Sequence, residues 1–170
     1  MKSATQKRKL VNKKQLEFQN FVDEKIMPIF DKWGEHFDII NPQLEDDWNG
    51  LNILITIPYG DRMEPWLKKV ISECYNNVRK TIWVIMGAKV NTNAWHNYVF
   101  PFADEIGFVR RGKRPAAYIR YCDRLSYAAF EKGNENIFFT VGSSFNDNLK
   151  EKVENALSRK IINLQDENND

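Results

Sequence analysis

Residues 52–57, NILITI, are apolar on both faces and run straight into Pro58-Tyr59-Gly60-Asp61, after which Glu64 and Pro65 open a helical pattern. A strand end that faces a helix start is where open α/β sheets keep their ligands. Thr56, Pro58 and Tyr59 therefore head the candidate site. They supply a hydroxyl that both donates and accepts hydrogen bonds, a ring that fixes its own φ and a flat aromatic face. The plainer reading is a strand end, a turn proline and a packed tyrosine, because Pro and Gly punctuate strands routinely. Asp61 and Glu64 fit either metal ligands or the N-terminus of the helix that follows, and the second is the ordinary role.

A second group of chemically able residues fills positions 110–124, RRGKRPAAYIRYCDR. Arg110, Arg111, Lys113, Arg114, Arg120 and Arg124 stand there against a single acid, Asp123, with Tyr118 and Tyr121 between them. Basic side chains neutralise phosphates and make binding salt-sensitive, and tyrosines stack on exposed bases. Read as one patch, the run makes DNA the expected partner; read plainly, it is a solvated turn between strands. Trp95 and His96 adjoin on a short helical stretch. They are either a wall of a base or cofactor pocket, or a core tryptophan beside a surface histidine.

Other chemistries are excluded. Cys74 and Cys122 are the only cysteines and His36 and His96 the only histidines, too few and too scattered for a four-ligand zinc site. They read as two buried or half-buried thiols in a reducing compartment. There is no nucleophile elbow and no P-loop. The formal net charge of +2 says little about partners; the 42% hydrophobic and 13% aromatic content indicates a folded chain. No apolar run approaches the ~20 residues of a membrane span, and no apolar segment follows the basic N-terminus as in a secretory signal. The cytoplasm is the expected location, with no membrane partner.

The elements that must position these residues alternate. Residues 1–14 read as a mobile basic arm, either touching nucleic acid or simply solvated, residues 15–164 as one domain, and residues 165–170 as a polar tail. Within the domain, residues 16–33 have helical apolar spacing, with Pro28 expected to kink or end the helix. FDII (37–40) is a short apolar run, NILITI a buried strand, 64–75 an amphipathic helix and TIWVIMG (81–87) a second buried strand. A short helix over 93–100 stops at Pro101. EIGFVRR (105–111), AAYIRY (116–121), LSYAAFE (125–131) and NIFFTVG (136–142) read as further strands, and 146–160 as a closing amphipathic helix. Strands alternating with helices argue a mostly parallel α/β sheet with helices on both faces, and the hairpin signals after residue 116 argue an antiparallel edge.

From Trp48 to about residue 131 the chain resembles the phage-type DNA N6-adenine methyltransferases (Dam-like). That family shows a Trp-Gly step, a strand ending Asn-Pro-Pro-Tyr, a second hydrophobic strand, a Thr-x-x-Trp-His segment and a strand ending Arg-Gly. Here Trp48 and Gly50 precede ITIPYG; Ala88, Thr92, Trp95 and His96 match the middle segment; ADEIGFVRRGK matches the last. The resemblance implies a Rossmann-like methyltransferase sheet and S-adenosylmethionine as cofactor, with Asp38, Thr92, Trp95 and His96 near it. It implies that Thr56 accepts a hydrogen bond from the amino group of a DNA base while Tyr59 stacks on that base. Thr56-Ile57 replaces the family's Asn-Pro, and no glycine-rich cofactor turn precedes NILITI. The stretch from Asp38 to Trp48 is also too short for a strand–helix–strand passage. The N-terminal half of the expected fold is therefore reduced. Two functions stay open: a DNA amino-methyltransferase, or a catalytically inactive relative that binds nucleic acid or serves as a subunit of a phage or viral assembly in the host cytoplasm.

Overall fold

The computed structural model of the chain describes residues 3–112, 115–125 and 155–157. The strands expected over 125–131 and 136–142 lie outside the described residues, the first except for Leu125. So does most of the helix expected over 146–160, although the described piece, 155–157, is helical and buries Ala156.

Helix α1 (Ala4–Phe21) begins within the stretch read above as a mobile arm. The reason is local. The Ser3 hydroxyl accepts from Gln6 N at 3.2 Å while Gln6 Oε1 accepts from Ser3 N at 3.0 Å, a reciprocal cap that satisfies two otherwise orphaned donors. Lysine, arginine, glutamine and leucine are also good helix formers. The helix continues through one wider π turn, Val22–Ile26, into α2 (Met27–Trp33). Pro28 thus falls in the first turn of a new helical segment, where its missing N–H forfeits little. The chain leaves α2 at Gly34, whose φ of 72° is the left-handed conformation that closes many helices.

Among the described residues five strands form one sheet: β1 (Ile39–Ile40), β2 (Asn52–Thr56), β3 (Thr81–Gly87), β4 (Glu105–Val109) and β5 (Ala116–Tyr121), in the order β1-β2-β3-β5-β4. β1, β2 and β3 are parallel; β5 opposes both β3 and β4. Four strands therefore share one direction. Among the described strands the reversed one lies between β3 and β4, and the further strands expected to form the antiparallel edge, 125–131 and 136–142, fall outside the described residues apart from Leu125. Burial explains the order. β5 buries Ala116, Ala117, Ile119 and Tyr121 from both faces, whereas β4 leaves Glu105 and Phe108 exposed, a pattern suited to the outside of a sheet.

Helices cover both faces. On one, Phe18, Val22, Ile26 and Phe30 of the N-terminal helices pack on Leu54, Trp83, Ile85 and Ala116. On the other, α3 (Met63–Asn76) sets Trp66, Leu67, Val70, Ile71 and Cys74 against Ile53, Ile55, Ile82 and Val84. Fully buried side chains of this kind stabilise by roughly 1.5–3 kcal/mol each. The link from β1 to its parallel neighbour β2, residues 41–51, contains no helix. It docks on α3 instead. Trp48 stacks on Trp66 at 6.3 Å, and the Lys69 ammonium sits 4.4 Å from the Trp48 ring and donates to the Leu44 carbonyl at 2.6 Å and to that of Asp46. Among the described residues no helix is long and apolar enough to cross a membrane.

Candidate functional site

β2 continues its pairing with β3 one residue beyond Thr56, through Ile57 N donating to Ile85 O at 2.9 Å. The chain then reverses. Asp61 N donates to Pro58 O at 3.1 Å, and Gly60 has φ 90°, the third-position geometry of a type II turn, which glycine adopts without strain. This turn, the end of β3 and the mouth of the β4–β5 hairpin surround a cleft of about 250 Å³. Ile57, Pro58, Tyr59 and Asp61 line one side, Met86, Gly87 and Lys89 another, and Phe18 of α1 with Arg111 a third. The cleft lies at the C-terminal ends of two parallel strands, the position the sequence indicates.

Helix α1 forms part of its rim. Gln15 Nε2 donates to the Tyr59 carbonyl at 3.0 Å, and Lys14 Nζ donates to the Tyr59 hydroxyl at 3.4 Å. The Arg111 guanidinium stands 4.9 Å from the Phe18 ring and 5.6 Å from that of Phe21. Cation–π contacts of this kind hold a charge on an apolar wall. The cleft is thus apolar in its lining, with Lys89, Arg111 and the nearby Lys14 positive and only Asp61 negative. Asp61 accepts from the Trp66 indole at 3.3 Å and Glu64 from the Tyr98 hydroxyl at 3.1 Å. Neither makes the side-chain cap expected for α3.

The expected catalytic group divides. Pro58 and Tyr59 line the cleft; Thr56 does not. Thr56 is 8% exposed, and its hydroxyl is buried with no hydrogen-bond partner among the described residues. Its backbone N–H is held by Asn41 Oδ1 at 2.8 Å. Asn41 closes β1 in the left-handed region, φ 51°, and sequence reasoning missed it. The signal was an asparagine directly after an apolar run, a residue that tolerates this conformation.

The residues assigned to a cofactor are dispersed. Asp38 sits at the opposite end of β2, where its carboxylate accepts from Leu51 N at 2.8 Å and Asn52 N at 3.0 Å. Those two N–H groups hold its pKa below the usual 3.8. Four residues of strand, about 13 Å, separate that end from Thr56. Trp95 is fully buried in the core and stacks on Phe108 at 6.1 Å. His96 is exposed beside Phe100, with centroids 5.4 Å apart, and the Thr92 hydroxyl donates to Lys89 O at 2.8 Å. Neither lines the cleft. The cleft also falls just below the ~300–1,000 Å³ of pockets that take a drug-sized ligand. These residues do not fit S-adenosylmethionine.

The basic run is likewise divided. Arg110 and Arg111 follow β4 at the cleft end of the sheet. Arg120 pairs in register with Trp83 and Glu105 towards the other end, and Arg124 donates to Pro101 O at 3.4 Å beyond it. Lys113 and Arg114 lie outside the described residues. Tyr118 is wedged among Phe30, Trp33 and Trp83, and Tyr121 is fully buried, its hydroxyl donating to Tyr98 O at 2.9 Å. The hairpin therefore turns one sequence patch into two separated basic positions, and neither tyrosine faces out as a stacking platform.

No family model matches the chain, and no curated protein or solved structure matches it either.

Proposed function

We propose that this is a methyltransferase-like α/β protein that binds nucleic acid at the cleft beyond β2 and β3 without transferring a methyl group. The observation that carries the reading is the composition of that cleft. An apolar slot with Tyr59 on its wall is bordered by Lys89, Arg111 and Lys14. A nucleobase has a flat apolar face for the slot, and the phosphates beside it attract the cations. About 250 Å³ suits one such ring. A donor cofactor would need further space beside it. The mostly parallel sheet with one reversed strand supports the methyltransferase-like assignment of the fold.

The test is fluorescence anisotropy with labelled single-stranded and duplex DNA between roughly 50 and 200 mM salt. Lys89→Ala with Arg111→Ala should weaken binding and lower the salt slope by about one to two, at ~0.7–0.9 per phosphate contact. Lys89→Ala alone, at an exposed position, guards against a fold defect caused by removing Arg111. Unchanged affinity and slope in both variants would overturn the reading. The second reading, methyl transfer to an amino group of a DNA base, draws support from the Thr56–Tyr59 tetrad at the same strand end. Calorimetric binding of S-adenosylmethionine in the micromolar range, about 8 kcal/mol, would establish that reading and displace the first.

A further inference from the structure

A second cavity, of about 420 Å³, opens at the opposite end of the sheet. Its floor crosses four strands. Asn52 pairs with Thr81, Trp83 with Arg120, and Arg120 with Glu105. Trp33, the last residue of α2, and Glu35, just past the Gly34 turn, form its wall.

Its chemistry is the reverse of the cleft's. Arg120 is already paired, to Glu105 at 3.4 Å and to Asp123 at 3.7 Å. Glu35 has no ion pair among the described residues, so the lining carries two carboxylates, Glu35 and Glu105, against one guanidinium, and its local charge is negative. Trp33 is 46% exposed, unusual for an indole. It packs against Trp83, Phe30 and Tyr118 and so is held in place while half of it faces out. Trp83 is 3% exposed, and its buried indole N–H has no acceptor among the described residues.

We propose that this cavity binds a guanidinium group, that of an arginine residue or of a small guanidino compound. A planar guanidinium stacks on an exposed indole and donates in a fork to a carboxylate, here Glu35; a compact ammonium does the first less well and the second not at all. The proposal is independent of nucleic-acid binding at the other end.

Calorimetry with N-acetyl-arginine amide on the full chain tests it. Saturable binding with Kd of about 1 mM is expected for a single-residue ligand. Trp33→Ala and Glu35→Gln should each weaken it by about tenfold, while Lys89→Ala leaves it unchanged. The isosteric but neutral citrulline amide should give no saturable heat. Tighter binding of the arginine amide than of methylguanidine assigns the site to an arginine residue, and equal binding assigns it to a small guanidino compound. Equal heat from citrulline, or no saturation up to about 20 mM arginine amide, overturns the site.

Discussion

Thr56 shows how far one residue's chemistry depends on where its atoms point. Its hydroxyl is able to accept a hydrogen bond from an amino group, but it is buried without a partner among the described residues and does not line the cleft. A buried unsatisfied hydroxyl costs free energy, and an isosteric methyl removes that cost. Thr56→Val is therefore expected to leave the unfolding free energy in denaturant melts unchanged or raise it by up to about 1 kcal/mol, with DNA binding unaltered. A large loss of DNA affinity in a folded variant would return the hydroxyl to the site. The resemblance alone implies a cofactor role for Asp38; its carboxylate is committed to two backbone N–H groups where β2 begins. The cysteines behave as the composition suggests. Cys74 is buried and Cys122 half-buried, neither is in a disulfide, and burial pushes the Cys122 thiol up to about 11. The position of Asn41 was legible only as a turn residue, since its hydrogen bond to Thr56 N joins residues on neighbouring strands.

At the scale of elements, periodicity located nearly everything described. The two long parallel strands, α3 and the stop at Pro101 lie where apolar spacing and proline put them. The start of α1 was missed because the charge run outweighed the Ser3–Gln6 cap, a two-residue signal. The order of β4 and β5 is not legible in the sequence for a different reason: a hairpin signal fixes which strands pair, and leaves open which of them docks on the existing sheet. Their close contact has a measurable consequence. Gly107 pairs with Tyr118, and a Cβ at Gly107 would lie 1.9 Å from the tyrosine ring. That ring is confined by Phe30, Trp33 and Trp83 and has little room to retreat. Gly107→Ala should destabilise by about 1–3 kcal/mol in denaturant melts, as overpacking does. An unchanged midpoint would show that the aromatic cluster repacks freely.

Across the whole molecule, the two ends of the sheet carry opposite chemistry. Lys89, Arg110, Arg111 and Lys14 gather where β2 and β3 finish; Glu35, Glu105 and Asp123 gather where they start, around Arg120. Arg120 and Arg124 belong to the same basic run in sequence as Arg111, but their partners are Glu105, Asp123 and the Pro101 carbonyl. Arg120→Ala with Arg124→Ala is accordingly expected to leave DNA affinity and its salt slope unchanged, measured beside the Lys89 and Arg111 variant. A slope reduced equally by both pairs would mean that the phosphate path spans the whole hairpin face. By itself the sequence determined where β2, β3 and α3 lie, that the sheet is mostly parallel, and that a turn at Pro58-Tyr59-Gly60 closes its most apolar strand; these follow from local periodicity and backbone restrictions, which act over a few residues. Only the tertiary structure decided that Thr56 turns inward, that Asp38 and Thr56 stand at opposite ends of one strand, and that the basic run is split between two ends. Each of those depends on strand direction and register between segments distant in the chain, which no local pattern encodes.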